Sequence, residues 1–195
     1  FIAISTGVPI AVSKLISEKI ALGKRDEVFQ VIKEALKVMI LLGLGTTIFL
    51  GGFGKVIIHA LKWDEKAYYS ILGVCLAPLF IGFMTPLRGF FQGMQNMTPT
   101  AVSQVIEQIG RVVFGVGLAF LLFPYGIEKA AGGASFGAAA GAILSGLYLW
   151  PKYLRVKKEN NIRKISRSDK VFMEIMKVAL PISVGAAVGS IMGVI

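Results

Sequence analysis

Apolar and polar positions follow one another in long blocks along this chain, not in the short period of a half-buried strand or a surface helix. Apolar stretches run over about residues 1–17, 35–58, 69–87, 100–123, 131–150 and 178–195, separated by polar breaks. About 20 apolar residues suffice for a helix to cross ~30 Å of hydrocarbon. The blocks therefore predict an all-α membrane protein with about six transmembrane helices, spans A to F in chain order. A helix satisfies its own backbone hydrogen bonds in lipid. Runs this evenly apolar lack the every-other-residue alternation of an outer-membrane barrel strand.

The breaks have their own pattern. Between A and B, Gly23 is a helix stop, and Val28, Val31, Ile32 and Leu36 then recur at helical spacing. This predicts a short elbow followed by an extension of span B. Between C and D, residues Gly89 to Thr98 read as a turn, with Pro99 in the first turn of the next helix. The last break is the longest, strongly basic and then amphipathic through Val171, Phe172, Ile175 and Met176, with Ser168 as a candidate N-cap. It suggests a division into 1–154, most of an N-terminal transmembrane lobe; 155–169, a basic interlobe linker; and 170–195, the start of a C-terminal lobe.

Composition agrees with the blocks: 55% of residues are hydrophobic and 16% charged, with mean hydropathy +0.72, too apolar for an ordinary soluble domain. The formal net charge of +10 raises the possibility of nucleic-acid binding, but its placement points elsewhere. Lys19, Lys24, Arg25 and Lys33 lie in the A/B break, Arg88 in C/D, and a run from Lys152 to Lys177 in E/F; the alternate breaks hold Lys62, Lys66 and Lys129. That asymmetry is the positive-inside pattern. It predicts a multi-pass plasma-membrane protein with the A/B, C/D and E/F loops cytoplasmic, in contact with anionic lipid and not with nucleic acid.

Cys75 and His59 are single in their kinds, which excludes a disulfide framework and a Cys/His metal cluster from this chain alone. "GKRDE" lacks the paired glycines of a phosphate-binding loop, and no cluster of His, Asp or Glu marks an enzyme, so no cofactor or metal is expected. Both ends fall inside apolar runs, which suggests a piece of a longer protein. "FIAISTG" could alternatively be the core of a signal peptide, but no basic region precedes it.

Candidate chemistry gathers in span D. Gln104, Glu107, Gln108 and Arg111 occupy i, i+3, i+4 and i+7 and so share one side of a helix, with Glu107 and Arg111 spaced for an ion pair. The stripe either faces an aqueous cavity and meets a polar substrate or binds neighbouring helices near the interface. Arg88 either snorkels to lipid phosphate or contacts substrate, and Lys14 reads as a snorkelling residue. Gly133, Gly137 and Gly141, like Gly185, Gly189 and Gly193, recur every fourth residue and are candidate helix-packing faces. Pro9, Pro78, Pro86 and Pro181 interrupt or border spans, a feature shared by gates and static helices.

At these residues a resemblance appears. "LRGFFQGMQNMTPTAVSQVIEQIGRV" resembles the segment joining the fourth and fifth helices of the stage V sporulation protein B group, the polysaccharide-biosynthesis relatives of the lipid II flippases. "STGVPIAVSKLISEKIALGKRDEV" resembles that family's second helix and following loop, and "VALPISVGAAVGSIMG" the helix opening its second lobe; both also resemble the wider multidrug, oligosaccharidyl-lipid and polysaccharide exporter superfamily. The resemblance implies the second to seventh helices of a two-lobed transporter of about twelve or more helices working by alternating access. It implies flipping of an undecaprenyl-linked cell-wall or polysaccharide precursor, a lipid-linked oligosaccharide or lipid II-like molecule, in a vegetative or sporulation setting. Arg88 and the Gln104, Glu107, Gln108 and Arg111 stripe are the residues here that could meet its head group. A cation-coupled multidrug exporter of the same superfamily, with the coupling ion unidentified, is the second reading, and a non-transporting scaffold or integral-membrane enzyme the third.

Overall fold

The structure, a computed structural model, describes residues 2–60, 62–160, 173–179, 181, 182 and 185. Span F, Ser168, Gly189, Gly193 and most of the basic linker lie outside the described residues, apart from short helical stretches between 173 and 185. The described chain is all-α. Helix α1 covers Ile2–Ala21, α2 Arg25–Ala60, α3 Tyr68–Val74, α4 Ala77–Gly93, α5 Met97–Leu122 and α6 Ile127–Glu159. Among the described residues, four stretches are long and apolar enough to cross a membrane: Asp26–Ala60, Tyr68–Gly93, Met97–Tyr125 and Ile127–Glu159. α1 has the length, at 20 residues, but carries Lys14, Glu18 and Lys19 in its second half.

Helix ends follow local rules. After α1, Gly23 takes φ +72° and the Lys24 N–H donates to the Lys19 carbonyl, closing the helix with a left-handed glycine cap. Asp26 and Glu27 then stand in the first turn of α2, where carboxylates complement the helix dipole. Lys62 and Gln95 close α2 and α4 in the same way, at φ 53° and 57°, without being glycine. α3 and α4 are separated at Cys75–Leu76, just ahead of Pro78, whose ring crowds the carbonyl four residues back, that of Val74, the last residue of α3. α6 continues to Glu159, five residues into the stretch read as linker.

The residues gather into two compact units. One comprises residues 1–39, 85–101 and 149–195. Its core joins Val12, Ile16, Val31, Ile32, Leu87 and Leu149 with a ring cluster in which Phe90 lies 5.8 Å from Phe29 and 5.3 Å from Tyr153. Here Gly89 and Gly93 let α4 touch α1: a Cβ on them would fall 2.7 Å from the Pro9 carbonyl and 2.8 Å from the Ser13 carbonyl. The Ser17 hydroxyl donates to the Gly93 carbonyl at 2.9 Å. Those contacts explain why the turn is shorter than the sequence suggested. Gly89 to Gly93 serve close helix approach inside α4, and only residues 94–96 turn.

In the same unit, Lys19 Nζ lies 2.9 Å from Glu27 and 3.7 Å from Glu174, so one ammonium ties α1 to α2 and to the helical segment 173–179. Its hydrogen bond to Glu27 holds the lysine above its ordinary range against the opposing effect of burial.

The other unit comprises residues 40–84 and 102–148. Small residues dominate its contacts. Gly73 sits on the Gly132 backbone, Gly132 on the Tyr69 carbonyl, and Gly43 on Pro78. Its outward positions on α2 and α5, such as Leu41, Ile48, Val105, Val112 and Phe120, are large, apolar and exposed, the surface a bilayer would cover.

Candidate functional site

α5 begins at Met97 after the Gln95 turn, with Pro99 in its first turn, where a missing backbone donor costs nothing. Thr100 reaches back across the turn, its hydroxyl donating to the Arg88 carbonyl over a long 3.4 Å. Arg88 is therefore not in a loop. It lies within α4, half-buried, between the buried Leu87 and Phe90.

Further along α5 the polar stripe is divided by burial. Glu107 is almost enclosed, with 9% of its side chain exposed, whereas 43% of the Arg111 side chain is exposed. Gln104 and Gln108 are exposed as well. The stripe thus runs along the border of a packed seam formed by Ser103, Glu107 and Gly110. Glu107 turns into the seam, and its neighbours flank it.

Glu107 and Arg111 meet as a short ion pair, Oε1 to Nη2 at 2.7 Å. With the acid one turn before the base, the pair has the favourable helical orientation. A charged hydrogen bond of this length gives the buried carboxylate the partner it needs.

α6 backs the pair with bare backbone. A Cβ on Gly137 would lie 2.6 Å from the Arg111 carbonyl and 2.7 Å from the Gly115 Cα. One on Gly141 would run into the Glu107 carbonyl, and one on Gly133 would lie 3.0 Å from the Leu118 carbonyl. A Cβ on Gly185, in contrast, meets nothing within 4 Å among the described residues. The helical turn carrying Glu107 and Arg111 is held by glycine-to-backbone contact, which fixes where the guanidinium starts.

Ser145, buried on α6, continues the fourfold row of Gly133, Gly137 and Gly141, whereas the spacing rule did not find Thr100 and Ser103, which are buried polar residues with interaction partners. Their signal was small hydroxyls on the same face as Glu107, four and seven residues before it, less conspicuous than Gln or Arg. No group of three His, Cys, Asp or Glu among the described residues is placed to hold a metal. The arrangement can present a guanidinium, two carboxamides and a paired carboxylate from one helix. That set suits binding a polar or anionic group more than bond-breaking chemistry.

The family model described as polysaccharide biosynthesis protein matches residues 2–195. The chain belongs to that family. Among relatives of the family in Bacillus subtilis (strain 168), it is 33% identical to stage V sporulation protein B over 190 residues, 95% of this chain and 36% of that protein. It is also 33% identical to lipid II flippase MurJ, across 96% of this chain and 38% of that one. The chain thus spans a little over a third of the length of these relatives.

Its fold is similar to a part of two solved transporters. One is an inward-facing multidrug resistance MATE family transporter of the MOP superfamily (TM-score 0.76, 18% identity, 93% of this chain and 42% of that one). The other is a MATE in complex with Br-NRF (TM-score 0.77, 19% identity, 93% and 43%). The apolar helices and these relatives make this polysaccharide biosynthesis family member a multi-pass membrane protein.

Proposed function

We propose that this chain is part of a transporter that moves undecaprenyl-linked cell-wall or polysaccharide precursors across the membrane by alternating access. The observation that carries it is the 33% identity, over nearly all of the chain, to a protein named as a lipid II flippase and to stage V sporulation protein B. The chemistry is compatible. A pyrophosphate-sugar head group cannot cross hydrocarbon unaided, and a guanidinium pairs with phosphate oxygens bidentately in a way an ammonium does not.

Arg111, with Gln104 and Gln108 beside it, is assigned to the head group, and Glu107 positions Arg111. Arg88 is proposed as a separate phosphate contact. The A/B, C/D and E/F loops are placed in the cytoplasm, and the 155–169 stretch joins two lobes.

Depleting the protein in its host tests this directly: lipid-linked precursor should accumulate. Unchanged precursor with altered dye efflux would favour the second reading, a cation-coupled multidrug exporter, which the multidrug transporter fold supports. At the site, the charge-swapped Glu107→Arg/Arg111→Glu protein should fold yet remain inactive, because the cation has moved to the enclosed position. Full recovery of activity would reduce the pair to a structural role.

A further inference from the structure

At one end of the unit formed by residues 40–84 and 102–148, the last turns of α2, the 62–67 loop, the start of α3 and the start of α6 line a half-open cavity of about 520 Å³. That is within the ~300–1,000 Å³ of ordinary small-molecule sites. The stripe on α5 contributes nothing to it. Lys55, Asp64, Lys66, Tyr68, Tyr69 and Glu128 supply its chemistry, and Ile58 and His59 complete the lining.

The charges in the lining are balanced, and each has a partner within the lining. Lys66 Nζ lies 3.6 Å from Glu128, Lys55 Nζ sits 5.5 Å from the centre of the Tyr68 ring, and the Lys66 backbone N–H donates to Asp64 at 3.1 Å. A polyanion or polycation would find as much repulsion as attraction here. What the cavity offers is donors and acceptors in similar number beside the exposed Tyr69 ring, which stands edge-to-face to Tyr68 with centres 6.3 Å apart, the Tyr68 face being covered by Lys55. A ring with several hydroxyls needs both kinds of partner, and its C–H face packs on an aromatic surface.

We infer that this cavity is a binding site for an uncharged saccharide, separate from the α5 stripe. The inference stands on the lining, so it survives or fails independently of the transport reading. On the positive-inside pattern this end faces away from the cytoplasm, where such a site would meet a sugar after transfer or an extracellular glycan.

The test uses the intact protein in phosphatidylcholine nanodiscs, whose head groups bring no hydroxyls, with maltotriose and triacetylchitotriose as probes in saturation-transfer difference NMR. Saturable binding of at least one is expected. Asp64→Asn/Glu128→Gln should weaken it about tenfold, since hydrogen bonds to charged acceptors are lost. Tyr69→Leu should weaken it, Tyr69→Phe should restore it, and Lys158→Gln should leave it unchanged. Thermal unfolding of each variant checks the fold; should Tyr69→Leu misfold, the carboxamide pair decides. Binding of neither sugar, equal binding by all variants, or displacement of both sugars by inorganic pyrophosphate would overturn the proposal.

Discussion

Glu107 and Arg111 form one ion pair, but the two ends differ in environment, and that asymmetry sets what mutation does. Removing the base by Arg111→Gln leaves a nearly enclosed carboxylate without its cation, a loss of about 3 kcal/mol by the usual cost of breaking a buried pair. Glu107→Gln leaves a cation with 43% of its side chain exposed; in the aqueous cavity proposed for the stripe, water would solvate it, so its cost should be under about 1 kcal/mol. Thermal or denaturant unfolding in nanodiscs measures both; equal losses would contradict the burial difference. Gln95 is a second residue-scale case. A non-glycine side chain at φ 57° is strained, so Gln95→Gly should raise stability, by up to about 1 kcal/mol after the extra flexibility of unfolded glycine is subtracted. The spacing of Glu107 and Arg111 was legible in the sequence because four residues make one helical turn. Which of the two is enclosed was not, since that depends on where α6 lies, and periodicity on α5 alone carries no information about a neighbour.

Apolar run length made the elements readable. Spans B, D and E correspond to α2, α5 and α6, because a run near 20 residues has few alternatives to a membrane helix. Glycine was where the reading slipped: the same residue that ends α1 at Gly23 lets α4 continue against α1 at Gly89 and Gly93. A positive φ and a close approach look identical in sequence. In the structure a close approach and an open helical position make opposite predictions. Gly141→Leu drives a side chain into the Glu107 carbonyl and should abolish expression of folded protein, whereas a Cβ at Gly117 meets nothing within 4 Å among the described residues, and Gly117→Ala should stabilise α5 by about 0.5–1 kcal/mol. Size-exclusion profiles and unfolding midpoints separate the two. A tolerated Gly141→Leu would mean that α5 and α6 are not in backbone contact.

For the molecule as a whole, the charge asymmetry makes a prediction about sidedness. In a Cys75→Ala background, a membrane-impermeant thiol reagent should label Lys62→Cys from outside the cell and leave Lys158→Cys untouched; both positions are exposed. The reverse pattern would invert the orientation, and with it the outward placement of the saccharide cavity. The seam between α5 and α6 has a mechanical consequence for any rocking motion. Interlocked side chains act as bearings, because rotamers can change one at a time while one helix rolls over another. Backbone resting on backbone has less of that play, because a main-chain atom cannot step aside as a rotamer can. On the transport reading proposed above, the contacts at Gly137 and Gly141 would move α5 and α6 together and carry Arg111 with them, and a joint such as the break before Pro78 would take up the bending.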